Sequence, residues 1–196
     1  TLDRSSAASD VYKRQIEYRP KHNVVDVDAA TNTLKFEFND DVKASVLNVL
    51  PAMRAGDIAV KSGLATANKR WCEIDYLTHE AKAAKNIHVL GDSIQVAPLM
   101  PKSGHMANQH GKTCAAAVVA LLTGKQPNAM PIYTNTCYSF VSAEDAVHVA
   151  SVHRYDAAQK TMLTVPGSGG VSSAANELEG GYALAWARNI WADTLA

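Results

Sequence analysis

The stretch Asn86-Ile87-His88-Val89-Leu90-Gly91-Asp92, followed by Pro101-Lys102-Ser103-Gly104-His105-Met106-Ala107-Asn108, decides how this chain is read. A short apolar run stops at Gly-Asp, and a Pro-Lys-Ser then opens a long alanine-rich segment. A strand ending at glycine brings backbone close to a ligand, and a carboxylate behind it accepts hydrogen bonds from hydroxyls. The helix that comes next turns its unpaired N–H groups and positive dipole end toward the same place.

Working outward, Ser103 is the expected N-cap of a helix running to about Thr123, with Gly124 as its stop. Met106, Cys114, Val118, Leu121 and Leu122 are its expected apolar face. Beyond Pro127 the pattern predicts three antiparallel strands, 132–141, 148–155 and 161–165, then a Pro166-Gly167-Ser168-Gly169-Gly170 loop and a closing helix over 174–192. Upstream, strands are expected at 16–19, 24–27, 34–38 and 42–50, a short helix at 57–62 stopped by Gly63, and strands at 73–77 and 86–90.

Hydrophobic residues make up 47% of the chain and charged residues 19%, enough apolar content for a packed core and too little charge for disorder. Lys+Arg and Asp+Glu balance at 19 each, which leaves no electrostatic footprint for nucleic acid. No apolar run approaches the roughly 18 residues of a membrane span. Residues 1–15 are polar and out of keeping with the rest of the chain; they resemble a translated adapter scar, so the expectation is a chain representing the downstream part of a longer reading frame. The three cysteines have no C-x-x-C spacing, which argues against zinc.

The Gly-Asp and Pro-Lys-Ser-Gly pair resembles the second flavin-contacting motif of flavoproteins with two dinucleotide-binding domains. No Gly-x-Gly-x-x-Gly pyrophosphate cradle is found in the chain, in keeping with a missing upstream half. With Leu50-Pro51, Arg54-Ala55-Gly56, Trp71-Cys72 with Asp75, Ala97-Pro98-Leu99-Met100, Asn135-Thr136-Cys137-Tyr138-Ser139, the 166–170 loop and Tyr182-Ala183, Trp186, Asn189-Ile190 and Asp193-Thr194, the resemblance narrows. The chain resembles the C-terminal half of the flavoprotein subunit of flavocytochrome c sulfide dehydrogenase over about residues 16–196.

That resemblance implies an α/β plus α+β fold: a tail (1–15), the end of a second nucleotide-binding-like domain (16–82), a returning FAD segment (83–126) and a small antiparallel-sheet-plus-helix domain (127–196). It implies a periplasmic enzyme that binds FAD, oxidises sulfide and passes electrons to a c-type cytochrome subunit, without a membrane span. In the family, the cysteine matching Cys137 is half of a redox-active disulfide whose partner would lie upstream. Asp92 would hold the ribityl chain, Gly91 would make room, and Lys102 with the amides after Ser103 would stabilise charge on the reduced ring. Pro101 and Gly104 belong to the same segment, and Trp186 matches a tryptophan near the flavin.

Read as residues alone, several of these have plainer roles: Lys102 as a solvated charge, Trp186 as a core anchor, and Cys137 as a small buried hydrophobe. Cys114 is expected to be inert packing, Cys72 packing or a surrogate partner for Cys137, and His105 and His110 helix-surface residues. Two other functions remain open: a related pyridine nucleotide–disulfide flavoprotein of the sulfide:quinone reductase or NADH dehydrogenase type, and a non-catalytic domain that binds a cytochrome or another subunit.

Overall fold

The computed structural model describes residues 17–195, which form two compact units divided between Ala52 and Met53. In the first unit, β1 (Val24–Asp28), β2 (Thr33–Phe36) and β3 (Val42–Lys43) make an antiparallel sheet in that order. Asp28 builds the β1–β2 turn by accepting from the Ala30 and Thr31 amides, and Asn32 takes the left-handed conformation there (φ 52°). Asp26 and Lys35, opposite one another in the register, form a cross-strand ion pair of 3.1 Å. The strand expected at 42–50 is reduced to two residues. Lys43 already faces Thr33, the first residue of β2, so later residues run past the end of their partner. Of the strand expected at 16–19, Ile16 lies outside the described residues, and 17–19 form no ladder.

The second unit starts with α1 (Asp57–Lys61), which ends at Gly63 (φ 73°). Between it and the next helix the chain is irregular, against the expectation of strands at 73–77 and 86–90. Isolated bridges take their place: Cys72 with Ile94, Ile74 with Ala81, and Glu80 with His88. Asn86 adopts a left-handed φ of 61°, which interrupts the extended run, and Val89 donates to the His79 carbonyl at 2.9 Å. Gly91–Ser93 is a single 3₁₀ turn.

Helix α2 (Gly104–Leu122) starts as expected: the Ser103 hydroxyl oxygen accepts from the Met106 amide at 3.1 Å, and Gly124 (φ 71°) follows its end. Its buried face is Met106, His110, Cys114 and Ala117. Leu121 and Leu122 are exposed, so the expected stripe is one position off in the last turns. The chain then builds β4 (Ile132–Phe140), β5 (Ala146–Asp156), β6 (Thr161–Thr164) and β7 (Gly170–Val171), with β5 central and every pairing antiparallel. Helix α3 (Glu177–Leu195) closes the unit, starting three residues later than expected because Asn176 is still bridged to Ala146. Both sheets are thus antiparallel, and the core joins Ile74, Tyr76, Ile94, Met100, Met106, Tyr133 and Met162.

Gly180 marks where α3 lies directly on the β4–β5 hairpin: a Cβ there would overlap the Glu144 carbonyl oxygen. Its neighbour Gly181 faces open space. Gly180→Ala should therefore destabilise the unit by about 1–3 kcal/mol through overpacking. Gly181→Ala should be neutral or stabilising by up to about 1 kcal/mol through helix propensity. Urea midpoints for the two variants check this, and equal midpoints would contradict the packing.

Candidate functional site

The start of α2 gathers three pieces of chain that are far apart in sequence. The first is the Gly91–Ser93 turn. Gly91 has φ 67°, a left-handed turn conformation that calls for glycine, and a Cβ on it would meet the Ala107 side chain at an ordinary contact of 3.4 Å. The turn is stitched to Cys72 by two backbone bonds, Cys72 N to Ser93 O (2.9 Å) and Gln95 N to Cys72 O (2.7 Å). The Lys102 ammonium donates to the carbonyls of Asp92 (2.7 Å) and Ile94 (2.6 Å), and sits 3.7 Å from the Trp71 ring centroid. Burial lowers the Lys102 pKa, with the Asp92 carboxylate acting against it. Asp92 is exposed, and among the described residues no group hydrogen-bonds its carboxylate, which acts on Lys102 through charge alone.

The second piece is a buried pair of histidines, where surface residues were expected for α2. His110 is 1% exposed, and its Nδ1 accepts from the Gly91 amide at 3.3 Å, which leaves the proton on Nε2. The rings of His79 and Tyr133 pack against it, with centroids 4.8 and 5.0 Å away. His79 Nδ1 lies 3.3 Å from the Val89 carbonyl and must donate there, so Nε2, 2.9 Å from the Tyr133 hydroxyl, shares that hydroxyl's single hydrogen with the Tyr76 carbonyl at 3.1 Å. Burial pulls the His79 pKa down to about 4 and that of His110 down to about 3. Helical periodicity does carry a signal for this: His110 stands between Met106 and Cys114 at four-residue spacing, on the face that is buried.

The third piece is the Asn135-Thr136-Cys137 block of β4. Strand alternation puts Asn135 and Cys137 on one face. Asn135 is 3% exposed; its Oδ1 accepts from the Ser103 hydroxyl at 2.5 Å, and its Nδ2 lies 3.5 Å from Cys137 Sγ. The Thr136 amide points off the sheet edge and donates to His105 Nδ1 at 3.1 Å, so the start of α2 caps the open side of β4. Cys137 is half-buried, whereas Cys72 and Cys114 are buried with thiol pKa values raised by burial; all three are free.

Helix α3 supplies the last wall. Trp186 packs between His105 (5.6 Å) and Tyr138 (6.1 Å), and its indole N–H is buried without a protein acceptor. Two turns on, Asp193 accepts from Asn108 (2.7 Å) and pairs with Lys112 (2.8 Å), clamping α3 to α2; those two hydrogen bonds, Lys112 first, lower its pKa. Tyr138 also meets His148, which forms a clasp with Glu179 (2.7 Å) and Ser172 (2.9 Å) between β5 and the start of α3. Gly91, Asp92, Lys102, Ser103, Cys137 and Trp186 therefore border one region around the start of α2, with Pro101 and Gly104 on its approach. Gly104 stands in open space.

Residues 129–195 match a family model described as flavocytochrome c sulphide dehydrogenase, flavin-binding. The fold is similar to that of the sulfide:quinone oxidoreductase from the hyperthermophilic bacterium Aquifex aeolicus, with a TM-score of 0.64 and 15% identity. That likeness covers 95% of this chain and 44% of the other, so the chain spans less than half the length of the solved structure. The chain is thus similar to a C-terminal portion of a flavocytochrome c sulfide dehydrogenase-like flavoprotein, with small antiparallel sheets plus helices and a flavin-binding domain consistent with FAD.

The buried histidines make stability depend on pH. Below an ordinary histidine pKa of about 6.5 the unfolded chain takes up protons, while native His79 and His110 resist them until about 4 and about 3. Their stabilising contribution is complete above pH 6.5 and falls as the pH drops toward the native values, by up to about 1.4 kcal/mol per pH unit for each histidine. Urea midpoints at about pH 7.5, 6 and 5 should decline more steeply in the wild type than in His110→Asn. Parallel declines would rule out a buried neutral His110.

Proposed function

We propose that this chain is part of an FAD-dependent oxidoreductase with two dinucleotide-binding domains, which oxidises sulfide in the periplasm and passes the electrons to a c-type cytochrome. The observation that carries the reading is Cys137, inside the 129–195 segment matched as flavin-binding: its sulfur lies against Asn135, whose amide oxygen takes the Ser103 hydroxyl at the start of α2. A half-buried sulfur linked through Asn135 to the start of a helix is placed for thiol–disulfide exchange next to an electron-accepting ring.

The chain's own residues fit such a ring. The Asp92 carboxylate on a fixed turn suits ribityl hydroxyls. The unpartnered Trp186 indole N–H, the open approach at Gly104 and the N-terminal amides of α2 suit the polar edge of an isoalloxazine. Lys102 acts chiefly by holding the turn, since its ammonium is spent on the Asp92 and Ile94 carbonyls, and its charge adds to the helix end.

In the reading proposed, Cys137 shares a disulfide with a sulfur from outside the described residues. Hydrosulfide attacks one sulfur, a new S–S bond forms there as the old one breaks, and the other sulfur leaves with the electron pair as a thiolate. In that exchange the sulfide sulfur is oxidised and the departing sulfur reduced, and an FAD held by Asp92, Trp186 and the first amides of α2 would supply the two-electron acceptor needed before the disulfide re-forms.

Cys137→Ser in the intact protein should abolish flavin reduction by sulfide while leaving flavin bound, because serine cannot form the disulfide that hydrosulfide attacks. Cys114→Ser should keep turnover and alter stability alone. Flavin bleaching under sulfide is the measurement, and near-normal bleaching in Cys137→Ser would end the proposal. Following cytochrome c or quinone as the oxidant then decides the acceptor. Asp92→Ala should weaken flavin retention by about ten- to a hundredfold, from loss of a charged hydrogen bond worth about 1.5–3 kcal/mol. Flavin content after dialysis reads this out.

A further inference from the structure

We infer that Asn135 is the positioning residue of the Cys137 sulfur, and that it acts only while Ser103, the N-cap of α2, holds its amide in place. The inference rests on the proposed role of Cys137. Asn135 is 3% exposed, and both ends of its amide are used. Oδ1 accepts the Ser103 hydroxyl at 2.5 Å, which fixes the orientation of the amide and turns Nδ2 toward Cys137 Sγ at 3.5 Å. Among the described residues the thiol hydrogen has Oδ1 of the same amide as its acceptor, at 3.7 Å. When the sulfur gives up that hydrogen or leaves a disulfide, the N–H donor remains on it and favours the negative charge.

Ser103 cannot turn freely. Its oxygen is committed to the Met106 amide at 3.1 Å, so its hydrogen is directed outward to Asn135. The helix start, the buried amide and the sulfur form one chain of hydrogen bonds in which each member fixes the next.

The test is the rate at which iodoacetamide modifies Cys137 in the intact protein at one fixed pH, after the proposed disulfide has been opened with a thiol reductant and the reductant removed, followed by peptide mass spectrometry. Asn135→Asp keeps an oxygen for Ser103 and replaces the N–H donor by a second oxygen, so modification should slow by about five- to tenfold. Ser103→Ala, which touches no sulfur, should slow it by about two- to threefold, and Ser103→Thr, which keeps the hydroxyl, should restore the original rate. Buried Cys72 and Cys114 report in the same digest that the fold is intact.

A wild-type or faster rate in Asn135→Asp with Cys72 and Cys114 still protected would overturn the inference. So would a Ser103→Ala rate equal to that of Ser103→Thr. If Asn135→Asp exposes the buried cysteines, the Ser103 pair decides alone. The alkylation rates judge the positioning role and sulfide-driven bleaching in Cys137→Ser judges the function, so either can fail without the other.

Discussion

Ser103 has one hydroxyl and uses it in two directions: its oxygen accepts the Met106 amide, and its hydrogen goes to Asn135 Oδ1. The first bond starts α2, and the second ties that start to β4, 32 residues further along the chain. A cap alone typically contributes about 1 kcal/mol. Here it also sets the place where the Gly91–Ser93 turn, the β4 edge and α3 meet, so the geometry of the whole region depends on where this helix begins.

Around that point the polar groups are paired in a definite order. The Lys102 ammonium holds the turn from one side, and the neutral His110 ring holds the Gly91 amide from the other. His105 takes the outward amide of Thr136, which would otherwise leave β4 open for another strand. Asp193 draws α3 across to Asn108 and Lys112, which stand four apart on α2 and so share a face. Among the described residues the Asn108 amide oxygen, the His110 Nε2–H and the Trp186 indole N–H are buried without a hydrogen-bond partner, and Asp92 is exposed.

The His79–His110–Tyr133 cluster shows the cost of this arrangement. Two imidazoles kept neutral in the core serve as acceptors where a methyl or an ammonium would not, and the price is sensitivity to acid. Their rings also fill space between the irregular 72–94 segment and the sheet, a junction without a strand ladder of its own.

Local chemistry along the chain determined a good deal. Ser103 with Gly124 bounds α2 because capping and left-handed stops act over one turn. Alternation bounds β4, β5 and β6, and the Asn-Thr-Cys-Tyr-Ser block together with the last helix carried the family resemblance. Tertiary structure decided the rest. The 86–90 run reads as a strand but pairs only over three residues with 79–81, through the Glu80–His88 bridge and two backbone bonds, and Asn86 breaks the extension at its start. The 42–50 run forms no strand ladder beyond Lys43, because β2 begins only at Thr33. His110 reads as a surface residue until the fold brings His79 and Tyr133, each from another part of the chain, against it. Asn135 and Cys137 share a face by the period of a strand, but only the approach of Ser103 fixes which way the amide points. Short-range preferences act within one turn or one strand, whereas a hydrogen bond across 32 residues exists only once both ends are in place.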